Sequence, residues 1–398
     1  MVMLDPTLPD LTFVIHDVEG GVASMNHQII ENAAFGSYFN LHVILWRSNE
    51  DSGKNFRGHF KNAKNIEYFS FSRLDNYYLT LKKFNRLLNR RPGVLVTNDG
   101  IELEAIRTFG TGSVLFSIVH DFYNLKLALD NLDLVDYFLC HTEVFTRALL
   151  SCASLSGRVQ FLLHGVKVIE PAKTQPDPAQ KLKIVSIGRL TAAKGVLLLS
   201  GIDHLLTQQH TQVEWMIIGS GDLDGELQRQ WGDRQNVKFY APDTLEEIFT
   251  LARTGDVFVS ASNFEGYGIA LLEAMSCGLV PIIHRLPVGV YSDLPEDVGF
   301  SMTMGDTQAF ADRIVRLDKD RDLLARMAKK ARQLVVDKYD ISKTADRYLQ
   351  CLRGHSLAHI DRKLRPRQTI KWGIADRAFI PNYFTRIVKK FKEICIPS

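Results

Sequence analysis

Ser260–Ile283 reads SASNFEGYGIALLEAMSCGLVPII, and the order of its parts decides the fold. A β-run ends near Ser260, a loop of Glu265, Gly266, Tyr267 and Gly268 follows, and a helix starts near Ile269. Gly278 stops that helix, glycine being the favoured residue just past a helix C-terminus. Leu279–Ile283 then reads as a strand buried on both faces, the mark of a parallel sheet. Two glycines at a strand-to-helix turn leave backbone N–H groups pointing at an anion, and the helix dipole adds partial positive charge there. Glu265 lies in the loop and Glu273 a turn into the helix, so both carboxylates border one cavity and accept hydrogen bonds from hydroxyl groups. An anion cradle beside hydroxyl acceptors is what a sugar joined to a nucleoside diphosphate requires. The plain alternative is a buried α/β turn with two solvated glutamates, since a bare GxG is common in parallel-sheet proteins. The spacing of eight between the glutamates, across GYG and an otherwise apolar helix, favours the first reading.

Working outward, 398 residues suffice for two domains with their own cores. Cys140, Cys152, Cys277, Cys351 and Cys395 show no CxxC or metal spacing, which points to a reducing compartment. The start, MVMLDPTLPD, has no basic-then-apolar pattern of a signal peptide, and no apolar run reaches the ~18 residues of a spanning helix. Charge is uneven. Residues 353–398 hold 11 Lys and Arg against 3 Asp and Glu, a basic tail on a mildly acidic body.

Toward the N-terminus, LTFVIH (11–16) is an apolar strand followed by Gly20-Gly21 and a helix pattern, a Rossmann-like opening without the GxGxxG of dinucleotide binders. LHVILW (41–46), VLVTND (94–99), VLFSIVHDF (114–122), YFLCHTE (137–143) and VQFLLHGV (159–166) read as further strands, and Tyr77–Leu88 as a helix. Residues 47–75 are polar and poorly periodic and read as a surface excursion. In open parallel sheets the ligand crevice lies at the carboxyl ends of the strands. Asp17, Asn98, Asp99, His120 and Asp121 sit at such ends, and His120 is the candidate for chemistry, weighed against a purely structural histidine. Lys173–Lys183 reads as the interdomain linker. A second unit starts at Ile184–Ile187, with Arg189 and Lys194 in the next loop, placed to clamp a diphosphate from one side or to lie solvated at the surface. WMIIGSGDLDGEL (215–227) gives strand, Gly219 turn and helix, NVKFY (236–240) a short strand, LEEIFTLA (245–252) a helix, and DVFVSAS (256–262) leads into the opening stretch.

In their order, HDVEGGVA, His120-Asp121, HGVKV, GRLTAAKG, IIGSGDLDGEL and FEGYGIALLEAMSCGLVPII resemble retaining glycosyltransferases of the GT-B fold, family 4, over residues 11–350. The resemblance implies an α/β architecture of two Rossmann-like domains whose parallel sheets face each other across an interdomain cleft. It implies a first domain over 1–170 on the acceptor side, a nucleotide-sugar domain over 171–335, a crossover helix over 336–352 and an extension over 353–398. It implies that Arg189 and Lys194 hold the diphosphate and stabilise charge growing on it, the largest single term in many enzymes. The amides of Gly266, Tyr267, Gly268 and Ile269 would add to them, with Gly219 at the following glycine turn. Glu265 would take the donor-sugar hydroxyls and Glu273 the ribose. His120 would contact the donor sugar near the reacting carbon, and Gly20-Gly21 would let the first domain close over the phosphates. No covalent nucleophile, metal or other cofactor is expected. His164 replaces the family's usual Asn, Ala241 stands where Gly is common, and 353–398 exceeds what the family needs.

The expected activity is hexosyl transfer from a nucleoside-diphosphate sugar to a cell-surface glycan or lipid-linked saccharide. A GT-B epimerase, a phosphorylase and a catalytically inactive scaffold are the alternatives, and a phosphorylase lacks its pyridoxal lysine here. In the tail, Tyr383, Phe384, Ile387, Val388, Phe391 and Ile394 share one helical face opposite Arg386, Lys389, Lys390 and Glu393. That pattern fits either an interfacial helix on anionic lipid or a helix packed back on the first domain. The expected location is the cytoplasm, peripheral on the inner membrane face in the lipid case. The aromatics do not interleave with cations as nucleic-acid binding requires, so no nucleic-acid partner is expected.

Overall fold

A computed structural model describes residues 7–51, 55–152, 155–170, 179–355, 376–377, 380–386 and 389. The linker's residues 173–178, and Ile387, Val388, Lys390, Phe391, Glu393 and Ile394 of the tail, lie outside them. The chain divides into two compact units, Met1–Leu162 with Ala345–Ser398, and Leu163–Thr344.

The first unit holds a seven-stranded, all-parallel sheet of β1 (Asp10–His16), β2 (Asn40–Ser48), β3 (Asn65–Phe71), β4 (Gly93–Thr97), β5 (Val114–Val119), β6 (Tyr137–Cys140) and β7 (Val159–Phe161) in the order β3-β2-β1-β4-β5-β6-β7. Helices α1 (Gly21–Asn32), α2 (Tyr77–Leu88), α3 (Gly100–Phe109), α4 (Phe122–Asp130) and α5 (Glu143–Leu150) make the crossovers. Leu11, Phe13, Val14 and Ile15 of β1 are all buried, as a strand covered on both faces demands.

β3 corrects the reading of 47–75 as excursion alone: it pairs with β2 from His42↔Asn65 to Ser48↔Phe71. Its alternation is inverted over the first half. Ile66 and Tyr68 are exposed, while Glu67 turns inward to Arg90 and Arg91, so the period-two signal of a half-buried strand is scrambled.

The second unit repeats the winding with β8 (Leu182–Ile187), β9 (Val213–Ile218), β10 (Val237–Tyr240), β11 (Val257–Ser260), β12 (Val280–His284) and β13 (Phe300–Met302), ordered β10-β9-β8-β11-β12-β13. Its helices are α6 (Leu198–Gln208), α7 (Asp224–Trp231), α8 (Leu245–Ala252), α9 (Ile269–Ser276), α10 (Thr307–Lys319) and α11 (Arg321–Lys338), with α12 (Ile341–His355) crossing the boundary between units. Successive strand side chains point to opposite faces. Accordingly Ile184, Trp215, Ile217, Val257 and Val259 join one core, and Val185, Met216, Ile218 and Phe258 the other. In both sheets the strand order reverses beside the first strand, between β1 and β4 and between β8 and β11. Doubly wound sheets place ligands at that reversal, outside the carboxyl strand ends.

The described part of the tail packs on the start of α2. Asn76, its N-cap, accepts from Leu79 N and donates to the carbonyls of Ile380 at 2.9 Å and Arg377 at 3.1 Å. Asp376 accepts from Tyr77 N, and Asp75 accepts from Asn382 and Arg386. Arg386 and Lys389 thus engage Asp75 and Asp376, and Tyr383 and Phe384 point outward at 71% and 59% exposure.

Candidate functional site

The loops that leave β8 and β11, adjacent strands, are bonded to each other. Asn263 N donates to Ala193 O at 2.9 Å and Phe264 N to the same oxygen at 3.3 Å. Gly195 makes this approach possible: its φ is +59°, and a Cβ there would lie 2.0 Å from Ala261 O. The stitched loops set the Lys194 ammonium 2.6 Å from Oε1 of Glu265, with both side chains largely shielded from water. Ser262 Oγ donates to the same oxygen at 2.9 Å. Arg189 is exposed on the same loop as Lys194, and Gly219 follows β9, where Gly188 N bonds Ile218 O at 3.0 Å.

Helix α9 begins directly after this pair. Gly268 is its N-cap and carries no side chain to occupy the first-turn amides, which have no intrahelical acceptor. Its φ of +104° favours glycine, and a Cβ there would come within 2.9 Å of the Tyr291 ring. Gly266, Tyr267 and Ile269 complete the loop. The Tyr267 side chain is buried and donates to His164 O at 2.8 Å, so the loop offers its backbone rather than its ring. Glu273 is buried within α9. Lys194 and Glu265 are therefore side-chain partners and the glycine loop adjoins them, whereas Glu273 sits deeper in the helix.

His120, Gly20 and Gly21 belong to the other unit, at its own strand ends. His120 is buried, and its Nε2 lies 2.6 Å from Oδ1 of Asn98, which also accepts from Asn26 at 3.0 Å. An amide oxygen only accepts, so Nε2 carries the proton. Asn98 also donates to Val14 O at 2.7 Å, and its N–H reaches Glu102. Burial pushes the Glu102 carboxyl well above its ordinary range, and the charge on Asp99 adds to this. Asp17 and Asp99 are raised mainly by burial as well.

Sequence reasoning did not single out Ser260, Ser262, His284 or Tyr291. His284 is buried behind the loop, with Nδ1 3.2 Å from Ser262 O and Nε2 accepting from Gly305 N at 3.0 Å. Two serines spaced by two at a strand end, both on one face, were the available signal.

Two doubly wound parallel sheets, each with polar residues gathered at its strand-order reversal, define the GT-B architecture. Residues 170–334 match the family described as Glycosyl transferases group 1. HepE from Anabaena, solved in complex with UDP and glucose, has the same fold, with a TM-score of 0.68 at 17% identity over 87% of this chain and 100% of that one. The amylovoran biosynthesis glycosyltransferase AmsK of Erwinia amylovora is 33% identical over 150 residues, 35% of this chain and 37% of its own length. The UDP-Gal:alpha-D-GlcNAc-diphosphoundecaprenol alpha-1,3-galactosyltransferase of Escherichia coli is 29% identical over 135 residues, 33% of this chain and 35% of its own. The chain thus spans little more than a third of the length of these two relatives. No helix among the described residues is long and apolar enough to cross a membrane.

Proposed function

We propose that this protein is a retaining, metal-independent glycosyltransferase that moves a hexosyl group from a nucleoside-diphosphate sugar to a glycan or lipid-linked saccharide. One observation carries the reading: at the β8/β11 reversal, an ammonium and a carboxylate meet beside the uncapped first turn of α9. The cation and the amides suit a diphosphate, and the carboxylate suits sugar hydroxyls. As the bond from the anomeric carbon to the phosphate oxygen breaks, its electron pair passes to the diphosphate, where Lys194 and Arg189 offset the growing charge. The acceptor oxygen attacks from the same face, and its proton goes to the departing phosphate oxygen. A diphosphate at α9 competes with Glu265 for Lys194, while ring hydroxyls take over as donors to the carboxylate. Glu273 as ribose acceptor and the roles implied for His120, Gly20, Gly21 and Gly219 belong to the same proposal.

The test is a panel of UDP- and GDP-sugars, read first by thermal shift and then by nucleotide release with and without saccharide acceptors. A donor that binds the folded chain at a hundredfold excess over Kd adds about 2.7 kcal/mol of stability. Release that needs an acceptor and survives EDTA is the expected result. Release without any acceptor favours the epimerase, and a strict need for a divalent ion rejects the charge argument.

The proposal includes contact of residues 353–398 with an anionic membrane from the cytoplasmic side, favoured by the outward Tyr383 and Phe384. Cosedimentation with phosphatidylglycerol vesicles that is unaffected by Tyr383→Ser with Phe384→Ser argues against it.

A further inference from the structure

Tyr291 ends LPVGVY, the segment that follows β12, and is almost wholly buried. The segment is tied to the glycine loop by Val290 N donating to Tyr267 O at 3.0 Å. A buried phenol is costly unless its hydroxyl is bonded. Here the hydroxyl meets Ser260 Oγ at 3.0 Å, Ser260 meets Ser262 at 3.1 Å, and Ser262 donates to Glu265 at 2.9 Å. Each hydroxyl has one proton to give. Ser262 gives its own to Glu265, so Ser260 gives to Ser262 and Tyr291 to Ser260. All three protons then point along one path toward the carboxylate. Burial, and next the Glu265 charge, push the phenol well above its ordinary range, so it stays a donor throughout the working pH range. The ring of the same residue lies against Gly268, where a Cβ would approach to 2.9 Å.

We infer that Tyr291 is a positioning residue for Glu265: its ring backs the N-cap of α9 and its hydroxyl sets the direction of the serine chain that orients the carboxylate. The inference rests on the glycosyl-transfer reading for its consequence and on geometry alone for its cause. Without the phenol hydroxyl, Ser260 loses its donor, and Ser262 gains the option of donating to Ser260 instead of Glu265. The carboxylate then keeps Lys194 and loses its fixed rotamer.

Tyr291→Phe keeps the ring and removes only the hydroxyl. Tyr348→Phe, which removes a buried hydroxyl bonded to His141 in the other unit, is the control. The first readout needs no substrate: the Glu265 side-chain carboxyl signal in protein labelled with ¹³C at glutamate, assigned by its loss in Glu265→Gln. It shifts in Tyr291→Phe and stays put in Tyr348→Phe. The second is turnover of whichever panel donor the wild type uses. Misplacing a group at a reacting centre costs up to ~100-fold, so kcat is expected to fall by about 10- to 100-fold with KM little changed. Tyr291→Ala, which removes the ring too, falls further. An unmoved carboxyl signal in a folded Tyr291→Phe overturns the inference, as does a moved signal with kcat intact. If the wild type turns over no donor, the glycosyl-transfer reading fails, and the carboxyl signal still decides whether Tyr291 orients Glu265.

Discussion

Lys194→Ala separates the structural from the chemical role of the site. In the folded protein Lys194 Nζ lies 2.6 Å from Glu265, with the two side chains 24% and 13% exposed. Breaking a fully buried pair costs about 3–5 kcal/mol, whereas exposed pairs contribute about 0–1. This pair lies between those limits, and Glu265 retains the Ser262 hydroxyl at 2.9 Å. A loss of ~1–2 kcal/mol is therefore expected, a few degrees in the melting temperature of a unit this size. The effect on turnover is expected to be larger, because in the proposed mechanism Lys194 also offsets the charge that grows on the diphosphate. Removing one preorganised donor of that kind costs ~10²–10³ in kcat, or about 2.7–4 kcal/mol of barrier. The assay is nucleotide release under saturating donor at a temperature where circular dichroism shows the variant folded. Lys194→Arg should recover little, since a planar fork does not occupy the place of a compact ammonium. Turnover within threefold of wild type in a folded Lys194→Ala would refute the assignment of the diphosphate to this loop.

Gly195→Ala forces a Cβ against Ala261 O at 2.0 Å from a left-handed backbone, so it should destabilise the second unit by ~2–4 kcal/mol, read by urea unfolding. Asn76→Ala strips the cap of α2 and removes the side-chain donor that the Arg377 and Ile380 carbonyls share; a loss of about 1–3 kcal/mol and faster tryptic release of the tail are expected, and unchanged cleavage would speak against this docking. His284 has its pKa lowered by burial from 6.5, so its contribution is fully present above pH 6.5 and declines as pH falls from there toward the folded value. The melting temperature of wild type minus that of His284→Gln should accordingly shrink as pH falls below about 6.5, and a pH-independent difference would contradict this.

Much of the fold was legible because parallel strands covered on both faces are uninterrupted apolar runs. Val94–Val96, Val257–Val259 and Val280–Ile283 needed no tertiary information, and Gly278 marked the end of α9 with φ at +86°. β3 was hidden because the polarity of its first half runs the wrong way: Glu67 is held by Arg90 and Arg91, partners that lie more than twenty residues on. Among site residues, Lys194 stood out as one of two loop cations beside a helix N-terminus and Glu265 by its place before GYG, and the structure adds their direct pairing across 71 residues of chain. Tyr291 left no local trace. A tyrosine in the turn after β12 becomes a buried hydrogen-bond donor to Ser260 only when β12 is laid beside β11, and that adjacency is a property of the sheet. Of the tail pattern, Tyr383, Phe384, Arg386 and Lys389 are described, and the turn of Arg386 and Lys389 toward Asp75 and Asp376 depends on partners that a helical wheel does not contain.

The Asn76 cluster has a consequence for biogenesis. The start of α2 is completed by carbonyls 301 and 304 positions later in the chain. On a ribosome, the second unit has all of its own residues as soon as Thr344 emerges. The first unit, begun earlier, waits for α12 and for the stretch ending near Lys389. Maturation therefore runs out of numerical order, and a chain arrested between these points would carry one finished lobe and one whose buried asparagine still lacks its acceptors, a natural target for quality-control proteases.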